Sequence, residues 1–80
     1  MWIKTEMGAV NTNNIAEIAL EEHKGTCAVV AYSGHLAATE GEIEYNRIVI
    51  KYFGENSDAA QKFLDKLLEK IGAVEISIDD

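Results

Sequence analysis

The chain has 80 residues, with fourteen acids against seven bases, a formal net charge of −7, one cysteine and no proline. That length makes a single domain (1–80) with a small core, one that removes about 60% of the unfolded chain's surface from water. A lone arginine, Arg47, among so few bases argues against ordinary docking on nucleic-acid backbones or anionic lipid, since both need clustered cations.

Trp2–Met7 alternates, with Ile3, Thr5 and Met7 on one face and Lys4 and Glu6 on the other, as a half-buried strand requires. Gly8 marks a turn into Val10. Asn11–Lys24 carries two signals at once. Asn14-Ile15-Ala16-Glu17 resembles a helix cap, with Ile15, Ile18 and Ala19 at helical spacing and Gly25 as a stop. Yet Ala16, Ile18 and Leu20 also alternate with Glu17, Ala19 and Glu21 as in a strand, so residues 15–24 stay open between helix and strand on the residues alone.

Thr26–Tyr32 is short and rich in β-branched and small apolar residues, which predicts a central strand. Ser33–Glu42, with two glycines among polar residues, reads as a turn or a long hairpin loop. Ile43–Phe53 is a further strand, with Ile48, Ile50 and Tyr52 on one side and Arg47, Val49 and Lys51 on the other.

Residues 57–72 spell an amphipathic helix. Ser57 or Asn56 caps it, Asp58 sits at the positive end of its dipole, and Gly72 suits a left-handed stop. At about 100° per residue, Ala60, Phe63, Leu64, Leu67, Leu68 and Ile71 form one stripe, opposite Lys62, Asp65, Lys66, Glu69 and Lys70. Burying five large side chains contributes on the order of 10 kcal/mol gross, so Leu67→Ala is expected to cost about 2–5 kcal/mol. Val74, Ile76 and Ile78 alternate with Glu75, Ser77 and Asp79 as a last strand. The predicted fold class is α+β: a mostly antiparallel sheet, β-β-β-β-α-β, with the helix on one face.

Trp2-Ile3-Lys4-Thr5, Gly8, Val10-Asn11 and the Ile15/Ile18 pair together resemble a loose group of small uncharacterised bacterial and phage proteins. The pattern covers about the first twenty residues, and the layout covers the whole length. The resemblance implies an N-terminal hairpin, a strand at 15–22 and one late helix. It tips residues 15–24 toward strand and implies no functional residue. The Ser33–Glu42 stretch departs from the group's layout.

His23, Cys27 and His35 are the only imidazole and thiol ligands. Without a Cys-x-x-Cys or His-x-x-Glu-His pattern they are too few for a structural zinc site, so no metal is expected. Ser33-Gly34-His35, or Cys27 with His35, supplies the parts of a nucleophile–base pair but matches no supporting motif. Glu40, Glu42 and Glu44 recur at period two, as a solvated hairpin edge does. Gly34 and Gly41 belong to no phosphate-binding loop, and no cofactor is expected. Trp2, Tyr32, Tyr45, Tyr52 and Phe53 fall on predicted strands, where packing explains most and a protein contact explains one or two.

The composition therefore predicts a non-enzymatic protein–protein interaction module whose partner is another protein or a second copy of itself. Two alternatives stand beside it. One is an acidic mimic of nucleic acid, of phage type, built on Glu17/Glu21/Glu22, Glu40/Glu42/Glu44 and Glu75/Asp79/Asp80. The other is a small ligand-binding or enzymatic domain using the Ser33/His35 loop. The lone cysteine fits a reducing cytoplasm. The longest apolar run, Cys27–Tyr32, is too short for a bilayer, and Met1-Trp2-Ile3-Lys4 lacks the apolar stretch of a secretion signal.

Overall fold

The computed structural model describes residues 1–36 and 43–73, with the backbone alone at 34–36 and 43–45. Its order is β1 (Trp2–Lys4), β2 (Ala9–Asn11), a 3-10 turn (Thr12–Asn14), β3 (Glu17–His23), β4 (Thr26–Leu36), β5 (Ile43–Gly54) and α1 (Ser57–Ile71). This is an α+β domain whose described strands all pair antiparallel. Among the described residues the strands fall into two sheets, a two-stranded β1-β2 hairpin and a three-stranded sheet in the order β3-β4-β5. The expected final strand, 74–79, lies outside the described residues.

The opening strand is shorter than its alternation suggests. It ends at Lys4, and the Thr5 amide donates to the Gly8 carbonyl at 2.7 Å to close a turn. Ile3 pairs with Val10 and both are buried, whereas Met7 sits in the turn at 97% exposure rather than sharing a buried face with Ile3. Next, Asn11 caps the 3-10 turn through its side chain, and Asn14 ends that turn instead of starting a helix.

Residues 17–23 are strand. β3 pairs with β4 along its whole length, from Glu17 opposite Tyr32 to His23 opposite Thr26. This pairing satisfies the backbone and sets Ile18 and Leu20 on the core face, so tertiary context overrides local helix propensity. Lys24 and Gly25 close the β3-β4 hairpin with positive φ at both positions, 52° and 80°. Two consecutive left-handed residues make a type I′ turn, whose twist matches the flanking strands.

Ser33–Leu36 continues β4 instead of forming a loop; Ser33 lies opposite Asn46 and residue 35 opposite residue 44. Strand pairing with β5 overrides the local turn composition there. β5 in turn carries two bulges. Cys27 faces Gly54 while Ala28 faces Tyr52, which leaves Phe53 extra; Val29 faces Lys51 while Val30 faces Val49, which leaves Ile50 extra. Each extra residue reverses the facing of the strand residues beyond it. Tyr52 therefore does not share the core face with Ile48 and Ile50: it pairs with Ala28 on the opposite face and is 55% exposed. Lys51, expected opposite Ile50, joins the helix side instead, with its Nζ 5.4 Å from the Phe53 ring and 5.6 Å from the Phe63 ring.

The helix has the predicted ends. Asn56 Oδ1 accepts from the Ala59 amide at 3.0 Å. At Gly72, φ is 81°, its amide bonds the Glu69 carbonyl, and the Ala73 amide bonds that of Leu68. The stripe packs on the face of the three-stranded sheet that carries Val29, Ala31 and Ile50, with Ile3 and Val10 of the small hairpin in the same cluster. Ala60 and Leu64 are buried, while Phe63, Leu67, Leu68 and Ile71 are half-buried. Phe53 and Phe63 meet in a tilted pair with centroids 5.3 Å apart. Leu68 and Ile71 also line a shallow groove of about 210 Å³ with Ile15 and Ile18, so the stripe is not wholly sealed in the core.

Candidate binding surface

The helix packs on one side of the β3-β4-β5 sheet, and the residues on the other side of the sheet lie outside that core cluster. Strand alternation places Glu21 and His23 of β3, Ala28 and Val30 of β4, and Arg47 and Tyr52 of β5 on this outer face.

Arg47 and Glu21 lie on the two outer strands with β4 between them. Arg47 Nε nevertheless donates to Glu21 Oε1 at 2.8 Å. By register Arg47 is opposite Tyr32 and Glu21 opposite Ala28, so the pair crosses β4 diagonally and its midpoint falls on Val30. In a flat sheet their Cα atoms would be about 16 Å apart, from two strand spacings and four residues of rise. That is more than the two side chains span, so the sheet must curl, and the two bulges in β5 are the features that add twist. Val30, at the register midpoint of the strap, is 0% exposed. Small side chains at Ala28 and Val30 leave room for the strap. The Glu21 hydrogen bond is the largest cause raising the Arg47 pKa above its ordinary value; partial desolvation opposes it, and the Glu21 charge and Tyr52 add to it.

Beside the strap lies an open depression of about 710 Å³. Ala28 and Thr26 form its floor. Tyr52 and Arg47 stand on one side, and Glu21, Glu22, His23 and Lys24 on the side of the β3-β4 turn. Tyr52 is held from behind: its amide, on the outer edge of β5, donates to Glu6 Oε1 at 3.1 Å, so the β1-β2 turn is tied to that edge. Lys24 stands on the rim in a left-handed conformation that ordinary residues adopt at a cost of about 1–2 kcal/mol.

The Cys27 and residue 35 pair does not converge. Cys27 and residue 35 are eight residues apart on one strand, about 26 Å along it. Cys27 is 1% exposed on the helix side, where a thiol behaves as a small apolar group. His23 lies on the outer face and Cys27 on the inner one, so the hairpin separates them. Among the described residues no group of three His, Cys, Asp or Glu side chains could hold a metal ion. Of the acidic clusters only Glu17/Glu21/Glu22 has described side chains, and it does not share one face. Glu17 and Glu21 face outward, Glu22 belongs to the other face by register, and Glu21 is spent on Arg47. Residue 44 is described by backbone only; Glu40, Glu42, Glu75, Asp79 and Asp80 lie outside the described residues.

Sequence reasoning missed the outer-face set of Arg47, Tyr52, Glu21 and Lys24. Lys24-Gly25 between two β-type runs was a readable hairpin signal, whereas the bulges that turn Tyr52 outward leave no mark in composition. In comparison with known proteins, the chain matches no family model, no curated protein and no solved structure. Among the described residues no helix is long and apolar enough to cross a membrane.

Proposed function

We propose that this chain is a non-enzymatic protein-binding module that works in a reducing compartment and presents the outer face of its three-stranded sheet to a partner. The observation that carries the reading is Tyr52, 55% exposed beside Arg47 at the edge of the depression. Tyrosine and arginine are the side chains most often responsible for interface energy, because each offers a large contact area with a polar end. The bulges and the Glu6 contact hold Tyr52 outward in advance, so little ordering cost remains on binding. The sealed Cys27 and its distance from residue 35 support a role without covalent chemistry.

Site-specific photocrosslinking tests this in cells that express the protein natively. A p-benzoylphenylalanine at position 52 is expected to give a discrete protein adduct, and the same group at position 62, on the outer side of α1, is expected to give none. An adduct mass of twice the chain identifies a second copy as the partner. No adduct at 52, or equal adducts at both positions, overturns the reading.

A further inference from the structure

We infer that the depression beside the Arg47–Glu21 strap receives an acidic segment of a partner protein, with a carboxylate at Arg47, Lys24 as a second cation on the rim, and an adjacent apolar side chain on the Ala28 floor. This deepens the protein-binding reading above and rests on it.

Three observations converge on a carboxylate. Glu21 engages Arg47 only through Nε, from the side. Among the described residues the terminal N–H donors of the guanidinium meet no carboxylate, and these are the donors that grip a carboxylate in parallel. The strap holds the guanidinium in place before any ligand arrives, which removes much of the ordering cost of a long side chain.

Lys24 is the second observation. The first position of a type I′ turn suits Asn, Asp or Gly; this chain carries a lysine there, at φ 52°, on the rim of the depression. A residue held against its backbone preference points to a role outside folding. The lysine sets a second cation across the depression from Arg47, with the His23 ring on the same rim.

The third observation is the floor. Ala28 is 5% exposed and Thr26 and Tyr52 flank it, so the surface between the two cations is mainly apolar. A bare anion would leave that floor wet, whereas an acidic residue next to a leucine or phenylalanine fills both parts.

The test is a backbone-amide NMR titration of the whole chain with three capped dipeptides: acetyl-Leu-Glu-amide, its Gln counterpart and its Lys counterpart. The Glu peptide is expected to give saturable shifts at residues 23–28, 47 and 52, with the Gln peptide about tenfold weaker. Lys24→Asn supplies the internal control, because it improves the turn while removing the cation. It should raise the melting temperature and weaken the Glu peptide by about threefold; Arg47→Gln should weaken it by about tenfold. Equal affinity for the Glu and Gln peptides, tighter binding of the Lys peptide, no saturable shift, or unchanged binding by Lys24→Asn and Arg47→Gln each overturns the inference. The crosslink at position 52 reports separately. An adduct there with no carboxylate preference removes only the chemistry assigned to the partner, while its absence removes the binding face as well.

Discussion

Leu64→Ala is the most direct probe of how the helix holds this domain together. Leu64 is 9% exposed and belongs to the buried cluster with Val29, Ala31 and Ile50. Truncation removes three carbons from that cluster, about 2.4 kcal/mol of transfer free energy at about 0.8 kcal/mol each. A residual cavity adds about 24 cal/mol per Å³, which brings the total to about 2–5 kcal/mol. An 80-residue domain has about 4–12 kcal/mol of net stability. At about 4–8 °C per kcal/mol, the melting temperature should fall by at least about 8 °C. Urea melts followed by far-UV circular dichroism measure the change, with Leu67→Ala as the comparison. Leu67 is only half-buried, so its truncation should cost about 1–2 kcal/mol, less than the helical pattern alone suggests. A Leu64→Ala protein within about 0.5 kcal/mol of the parent would refute the packing argument. So would a Leu67→Ala protein that is the less stable of the two.

Lys24→Asn should stabilise the domain by about 0.5–1 kcal/mol, read from the same melts, because Asn tolerates the left-handed turn position better than Lys. Gly72→Ala should destabilise by about 1 kcal/mol and Gly72→Asn by less; no atom within 4 Å would meet the new Cβ, so the cost is conformational alone. Glu21→Gln should loosen the strap and expose Val30, visible as stronger relaxation of its methyl signals by a soluble paramagnet, with no such change at Val29. Raised salt should weaken the same contact in the parent protein, since both partners are partly exposed. The raised pKa of Arg47 means that its contribution is complete below its ordinary value and is lost only as pH rises through the folded one. Titrating Arg47 therefore leaves the strap intact from neutral to mildly alkaline pH. Finally, Cys27 should resist an aromatic disulfide reagent in the native state and react promptly in urea; rapid native labelling would contradict its burial.

Local chemistry by itself determined the helix. Asn56, Asp58 and Gly72 are terminal signals that work over three or four residues, and an apolar stripe at 3.6-residue spacing has one natural way to be buried. The α+β class came with it, because the flanking segments alternate at period two. Residues 15–24 satisfied both periods, and only pairing with β4 along seven positions decided for strand. Ser33–Leu36 joined β4 for the same reason, since hydrogen bonds to β5 outweigh a loop-like composition. The outer face was decided by tertiary structure alone. Two single-residue bulges in β5 reverse which side its residues face, and they arise from how three strands twist together, which no local pattern in Ile43–Gly54 encodes. Tyr52 thus moved from the core to the surface, and Arg47 and Glu21, 26 residues apart, met across β4, the strand that lies between theirs.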